Sequence, residues 1–245
     1  MRIIALPLRI NASRSVPTFY SFRITAPPPR PPPPRTILTR WMPEEGFSKW
    51  AEKTWAAFGT AEKGTLKQRA FTLGERLMDR LDFEESNLKT LDLSMAPPPL
   101  DARSIPLLYP PKAISGPQSL DNLRTLVKDR IPVHQRGILT YVFFAILSAP
   151  LKLIPIIPNF PFYFCAWRTW SHWKAMRAAR YIHGLLENNR IVPEPYKALD
   201  ALYEGATLTH ETLEHAVRLL DMGVEEQKEL SRAHEQVLAR VDKDK

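Results

Sequence analysis

The stretch ILTYVFFAILSAPLKLIPIIPNFPFYFCAW, from Ile138 to Trp167, decides the fold that this sequence predicts, and Lys152 is its only charged residue. It is long enough to cross a bilayer, but its four prolines exclude one straight helix. The limbs 138–151 and 153–167 would each rise about 21–22 Å as helices, less than the ~30 Å hydrocarbon core. The sequence therefore predicts a helical hairpin whose proline-broken apolar tip inserts into or crosses a lipid bilayer. The alternative is a helix pair buried in a soluble core.

Basic residues flank this stretch on both sides, with Arg124, Lys128, Arg130 and Arg136 before it and Arg168, Lys174, Arg177, Arg180 and Arg190 after it. Symmetric basic flanks suit a hairpin whose two ends lie on the same side of a membrane. The helix that follows Trp167 combines tryptophan and tyrosine with arginine and lysine, a composition that is typical of the headgroup region.

The remainder of the chain completes an all-α prediction in which amphipathic helices accompany the membrane-associated hairpin. The N-terminus is rich in arginine and proline and free of acid, which predicts disorder and mitochondrial targeting, with a plain basic arm as the alternative. The predicted segments are a leader over 1–40, amphipathic helices over 41–95, a proline-rich connector over 96–118, the hairpin with its aromatic-basic helix over 119–190, and a soluble helical segment over 196–245.

Composition excludes several classes of protein. The chain has 245 residues and a formal net charge of +8, but seven of its 34 basic residues lie in the acid-free residues 1–43. The remainder is nearly neutral, with 27 basic and 26 acidic residues, so we expect no nucleic-acid partner. The nine glycines show no phosphate-binding spacing, and a single cysteine, Cys165, excludes a disulfide framework. No cofactor is predicted.

Few side chains are candidates for chemistry. His210 and His215 are five residues apart and miss the i, i+4 spacing of a helical zinc site, so no metal is predicted. An enzyme that uses Cys165 with His172 is a minor alternative, because an apolar aromatic cluster normally holds an inert thiol. Lys152 is the single charge in the apolar run, and His134 and His172 are the local groups suited to titrate near neutral pH.

The lack of acidic residues in the predicted hairpin bears on ion transport. No carboxylate lies between Asp129 and Glu187, although cation pathways usually use acidic side chains or rings of carbonyls. A single short hairpin also lacks the repeated bundles of transporters. A role in cation exchange would therefore require a homo-oligomer or a partner membrane subunit.

Residues 154–175, IPIIPNFPFYFCAWRTWSHWKA, closely resemble the signature of the mitochondrial K+-H+ exchange-related family of fungi and plants. The opener MRIIALPL and residues 50–81 are more weakly similar to that family. The resemblance implies an inner-membrane protein involved in potassium/proton exchange, as a component or accessory subunit, and it identifies no catalytic residue. The alternative is a membrane-docked adaptor that recruits partners through its C-terminal helices. The matching candidate motif consists of Pro155, Pro158, Asn159, Pro161, Arg168, Thr169, Ser171, His172 and Trp173.

Overall fold

The computed structural model describes residues 1–8, 17–23, 59–62, 64–65, 68–69, 71–72, 83–91, 93, 96, 98–100, 102–150, 160–203 and 208–243. The chain divides into two compact units, one formed by residues 1–25 with 82–245 and the other by residues 26–81. Of the predicted helical region 41–95, most of residues 41–81 lie outside the described residues. The larger unit contains the sheet and the helices considered below.

A four-stranded mixed sheet forms the centre of the larger unit. Its strands are β1 (Arg2–Pro7), β2 (Thr18–Arg23), β3 (Ile105–Tyr109) and β4 (Ile191–Pro195), and they lie in the order β2-β1-β3-β4. β1 pairs antiparallel with β2 and parallel with β3, where Ile3 is opposite Leu107. β3 and β4 are also parallel. Their connection must therefore cross back over the sheet, and a pair of helices makes this crossing.

Within the described residues of the larger unit, five α-helices accompany the sheet. They are α1 (Phe83–Thr90), α2 (Gly116–Ser148), α3 (Phe160–Glu187), α4 (His210–Leu219) and α5 (Val224–Lys243), with a 3-10 helix at Lys197–Leu202. Helices α2 and α3 pack along one another and connect β3 to β4. Ser115 caps α2, because its side-chain hydroxyl accepts a hydrogen bond from the backbone N–H of Gln118 at 3.4 Å. Pro132 lies inside α2 without ending it.

The sheet separates two hydrophobic cores. On one face, Ile3 and Ala5 of β1 pack with the inner stripe of α2 and α3, which includes Leu123, Val127 and Ile182. On the other face, Ile4 and Leu6 of β1 pack with α4, α5 and the 3-10 helix. Alternate residues of a strand point to opposite faces, so this short, continuous apolar run is buried on both sides. The apolar faces of the two C-terminal helices are thus largely used within the protein's own fold.

The all-α prediction with a disordered N-terminus is wrong. Residues 1–23 contribute two strands, and the connector predicted over 96–118 contains β3. The physical reason is long-range pairing, since Ile3 gains its partner from β3, about a hundred residues along the chain, and neither run signals that pairing locally. The division of the remaining chain into segments stays a prediction.

The predicted helical hairpin corresponds to α2 and α3, but the prediction that it crosses a membrane is not supported. Among the described residues, no helix combines the length and the hydrophobicity that a bilayer crossing requires. Of the residues that join the two helices, 151–159 lie outside the described part of the chain. Lys152, Pro155, Pro158 and Asn159 therefore have no structural account. Pro161 lies in the first turn of α3, and its side chain is also outside the description.

Candidate functional site

Four buried polar side chains from three helices meet on the inner side of the hairpin. Glu85 comes from α1, His134 from α2, and Arg168 and His172 from α3, and each is between 0% and 6% exposed. We call these four residues the Arg168 cluster. Arg168 and His172 are four residues apart, so the 3.6-residue period of α3 places both on the face that meets α1 and α2.

An ion pair between Arg168 and Glu85 is the centre of this cluster. Arg168 donates from Nη1 to Oε1 of Glu85 at 2.7 Å and from Nη2 to Oε2 at 3.4 Å. The two planar groups therefore meet as a fork, the geometry in which arginine binds a carboxylate best. The structure thus places a carboxylate at the base of a hairpin whose own sequence from 130 to 186 contains none.

The hydrogen bonds of His172 determine the tautomers of both histidines. Nη2 of Arg168 lies 3.0 Å from Nε2 of His172, and because guanidinium only donates, Nε2 accepts. The proton of neutral His172 is then on Nδ1, which donates to Nδ1 of His134 at 3.1 Å. His134 consequently carries its proton on Nε2, a buried atom that has no hydrogen-bond partner in the described part of the chain.

Two features of α2 hold this arrangement in place. The Tyr141 ring stacks on the His172 ring with centroids 5.5 Å apart, and the guanidinium carbon of Arg168 lies 5.2 Å from the Tyr141 centroid. Gly137 lies directly against the imidazole, since a Cβ atom there would be 2.7 Å from Nε2 of His172. The absent side chain of Gly137 is what lets α2 approach the histidine ring this closely.

The protonation states follow from burial and from the ion pair. Burial opposes ionisation of Glu85, but the hydrogen bond and charge of Arg168 outweigh it and hold the pKa of that carboxyl below its usual range. Burial also opposes the charge of Arg168, yet Glu85 raises its pKa. Burial lowers the pKa of His172 and lowers the pKa of His134 to about 4. At neutral pH the cluster is therefore one ion pair with two neutral imidazoles.

The same residues include the donor set of a metal centre. One donor atom each from Glu85, His134 and His172 lie within 4.8 Å of one another, a two-histidine, one-carboxylate set that suits transition metals. Arg168, however, already binds both Glu85 and Nε2 of His172. Arg168 is thus the cation of this cluster, and a metal ion would have to displace it. The arrangement favours a rigid brace between three helices over metal chemistry.

The other predicted residues surround the cluster without joining its hydrogen bonds. Thr169 donates from its hydroxyl to the Cys165 carbonyl at 2.9 Å, a bond within α3, and Ser171 is buried. The ring of Trp173 stacks on that of Trp170. Burial raises the pKa of Cys165, the opposite of what a thiolate nucleophile needs.

Sequence reasoning selected Arg168, His172 and His134 but missed Glu85. Glu85 lies 83 residues before Arg168, on a short helix, and a single acidic residue in a charged helix carries no sequence signal of burial. The one available hint was the lack of any carboxylate within the hairpin, which left its buried arginine without a local partner.

Beyond the Arg168 cluster, at the C-terminal end of α2 and the N-terminal end of α3, the hairpin exposes apolar side chains. No charged residue lies between Arg136 and Lys152 or between Phe160 and Trp167. In this part of α2 six large apolar side chains are 38% to 72% exposed, namely Leu139, Val142, Phe143, Phe144, Ile146 and Leu147. We call this part of the hairpin, residues 137–148 with 160–167, the apolar tip. The alternative of a helix pair buried in a soluble core therefore does not describe these six side chains.

Comparison with known proteins identifies the class. Residues 2–186, from β1 to nearly the end of α3, match the model of a family described as mitochondrial K+-H+ exchange-related. The chain therefore belongs to this family, which confirms the resemblance of its central motif and indicates a mitochondrial protein related to K+-H+ exchange. The match includes the whole Arg168 cluster.

A curated relative and the solved structures add less. An uncharacterized protein of Saccharomyces cerevisiae, YDL183C, is 27% identical over 126 residues, which are 51% of this chain. The chain spans only 39% of the length of that relative. No solved structure matches.

Proposed function

We propose that this protein is a non-enzymatic accessory subunit of potassium/proton exchange that docks on the mitochondrial inner membrane through the apolar tip. The observation that carries the proposal is the exposure of six large apolar side chains on all but the α3-facing side of α2. Clustered exposed apolar surface of this kind is typical of a site that binds a membrane or another protein. Family membership supplies the link to the exchange.

The dimensions of the tip suit one leaflet. From Gly137 to Ser148, α2 rises about 18 Å at ~1.5 Å per residue, whereas one half of the hydrocarbon core is ~15 Å thick. The charged surface of α2 ends at Arg136, and Gly137 lies at the level of His172 on α3. The apolar surfaces of both helices thus begin at the same level, as insertion of a hairpin from one side of the membrane requires.

The energy of this insertion is moderate. Complete burial of one large apolar side chain contributes ~1.5–3 kcal/mol, so six side chains that are about half exposed contribute roughly 6 kcal/mol. A single myristoyl chain supplies a similar free energy and gives reversible binding. The described tip therefore supports docking, and stable attachment requires a second attraction.

The Arg168 cluster supports an accessory role over transport by this chain alone. Its carboxylate is already neutralised by Arg168 at 2.7 Å, and the hairpin sequence from 130 to 186 has no other acid to bind potassium. In our proposal the cluster braces α1, α2 and α3 where the apolar tip leaves the protein body. Potassium and protons would then cross through a second copy or another membrane subunit that the tip contacts.

Flux measurements test this role. Mitochondria that lack the protein should lose potassium-driven proton flux and regain it with the wild-type chain, whereas vesicles containing only the purified protein should show none. Flux in those vesicles would overturn the accessory role. A tip variant, Phe143→Asp/Ile146→Asp, should fail to restore flux, and the control Val224→Asp/Leu238→Asp changes two exposed apolar side chains of α5. Equal restoration by both variants would exclude the tip from the function.

The alternative, an adaptor that recruits partners through its C-terminal helices, has no specific support. Leu213, Ala216, Leu230, Ala233 and Val237 of α4 and α5 are buried against the sheet and the 3-10 helix. The larger exposed apolar surface lies on the hairpin.

A further inference from the structure

A stripe of aromatic and basic side chains runs along the exposed side of α3, next to the apolar tip. Trp170, Trp173, Lys174 and Arg177 occupy helical offsets of three, four and seven residues. The Trp170 and Trp173 rings stack with centroids 4.8 Å apart, and the Arg177 guanidinium lies 4.8 Å from the Trp173 centroid. We call these four residues the basic-aromatic stripe.

Lys174 and Arg177 differ from two basic residues of the hairpin that are paired with carboxylates. Arg130 and Arg168, which face inward, form ion pairs with Glu84 and Glu85. Lys174 and Arg177 are exposed, and among the described residues neither has a carboxylate within ion-pair distance. Lys174 and Arg177 therefore present positive charge with which no carboxylate of the described residues forms an ion pair.

The order of residues along α3 matches the layers of a membrane surface. Trp170 is 54% exposed and lies about 3 Å above the level of His172, and Trp167, which is 39% exposed, lies about 8 Å above that level at the start of the apolar tip. Lys174 and Arg177 follow about 3 Å and about 8 Å below that level, at ~1.5 Å per residue. Tryptophan at the edge of the hydrocarbon and basic side chains in the headgroup layer are the arrangement of interfacial proteins.

We infer that the basic-aromatic stripe binds the phosphate groups of anionic phospholipids, with Lys174 and Arg177 as the cations and the two tryptophans as the interfacial anchor. This inference rests on the proposed function, because it requires the apolar tip to enter lipid. It supplies the second attraction that the tip lacks. Arg177 is held over Trp173, so little side-chain freedom is lost when its guanidinium meets a phosphate.

Vesicle co-sedimentation of the full-length protein tests the stripe. Wild-type protein should bind vesicles of phosphatidylcholine with phosphatidylglycerol more tightly than pure phosphatidylcholine vesicles. Added salt should reduce the affinity for the anionic vesicles and leave the affinity for the neutral vesicles unchanged. Lys174→Gln/Arg177→Gln should lose about 30-fold in affinity for the anionic vesicles, about five-fold for each charge. It should bind neutral vesicles as wild type does. The control Lys197→Gln/Arg218→Gln removes two exposed charges away from the hairpin and should bind as wild type.

The outcomes separate this inference from the proposed function. Equal binding of wild type to neutral and anionic vesicles would overturn the stripe and leave the tip intact. Binding to neither vesicle would overturn both. An equal loss in the control variant would assign the effect to net charge and overturn the stripe. Stronger displacement from anionic vesicles by inorganic phosphate than by sodium chloride at the same ionic strength would assign the site to free phosphate and also overturn it.

Discussion

The substitution Arg168→Met tests whether the cluster is a structural brace. Methionine keeps the length and apolar stem of the side chain but removes the charge that neutralises Glu85, whose side chain is 8% exposed. Removal of one partner of a buried ion pair costs about 3–5 kcal/mol, because the remaining charge stays uncompensated. This loss is a large fraction of the roughly 5–15 kcal/mol that stabilises an ordinary domain, so we expect the variant to unfold at much lower urea concentration.

A double-mutant cycle separates the ion pair from simple loss of packing. Replacing both partners, as in Arg168→Met/Glu85→Leu, should recover all but about 1–2 kcal/mol of the wild-type free energy of unfolding, since no buried charge remains. Equilibrium urea unfolding, followed by far-UV circular dichroism, measures all four proteins. A loss below about 1 kcal/mol for Arg168→Met at pH 7 would refute the reasoning, as would a double variant that is no more stable than the single one.

The pH dependence of the same variant gives an independent check. In the wild type, Arg168 lowers the pKa of Glu85, so this stabilisation is present above the unfolded pKa of about 4.3 and is lost as the pH falls further. In Arg168→Met, burial without a partner raises the folded pKa instead. The destabilisation of the variant relative to wild type should therefore shrink as the pH is lowered from 7 toward 4.

Three further predictions concern stability. The wild-type free energy of unfolding should fall by roughly 3 kcal/mol between pH 6.5 and about 4, because His134 has a folded pKa of about 4; urea titrations of His134→Gln should show a smaller slope. Gly137→Ala should cost about 1–3 kcal/mol, since the added Cβ meets the His172 ring at 2.7 Å, whereas Gly223→Ala has open space and serves as the control; equal thermal midpoints would contradict this. Deletion of residues 1–23 should abolish cooperative thermal unfolding, because it removes two of the four strands; a sharp transition would contradict it.

The hairpin could be predicted from sequence because its signal is local. An apolar run with Lys152 as its single charge, prolines at its centre and helical spacing on either side all act within about fifty residues, and helices α2 and α3 follow from them. The C-terminal helices were predicted for the same reason. The helical spacing of their apolar residues lies within one continuous segment, so it can be recognised without knowledge of a distant partner.

The sheet depends on information that is not local. Ile3 to Leu6 are four consecutive apolar residues within an arginine-rich leader. The arginines of the leader suggested targeting more strongly than these four apolar residues suggested a strand. Their burial requires β3 on one side and β2 on the other, with helices above and below. β3 itself contains Pro106, which further weakens its local signal.

Three of the four residues of the Arg168 cluster could be selected from the sequence, but their contacts could not be predicted. Arg168 and His172 stand in one helical motif, and His134 was noted as titratable, but their meeting depends on the packing of α2 against α3. Glu85 comes from a third helix, α1, and it pairs with Arg168, which the sequence identified only as a basic residue that flanks the apolar run. The functional roles of Thr169, Ser171 and Trp173 stay predictions.

The depth of the apolar tip in lipid tests the central claim most directly. An environment-sensitive fluorophore is attached at Phe143→Cys in a Cys165→Ser background, with Leu238→Cys on α5 as the control. In vesicles that contain anionic lipid, the probe at position 143 should shift to the blue and be quenched by lipids spin-labelled in their acyl chains, while the probe at position 238 should remain in water. Equal exposure of both probes to aqueous quencher would contradict the account.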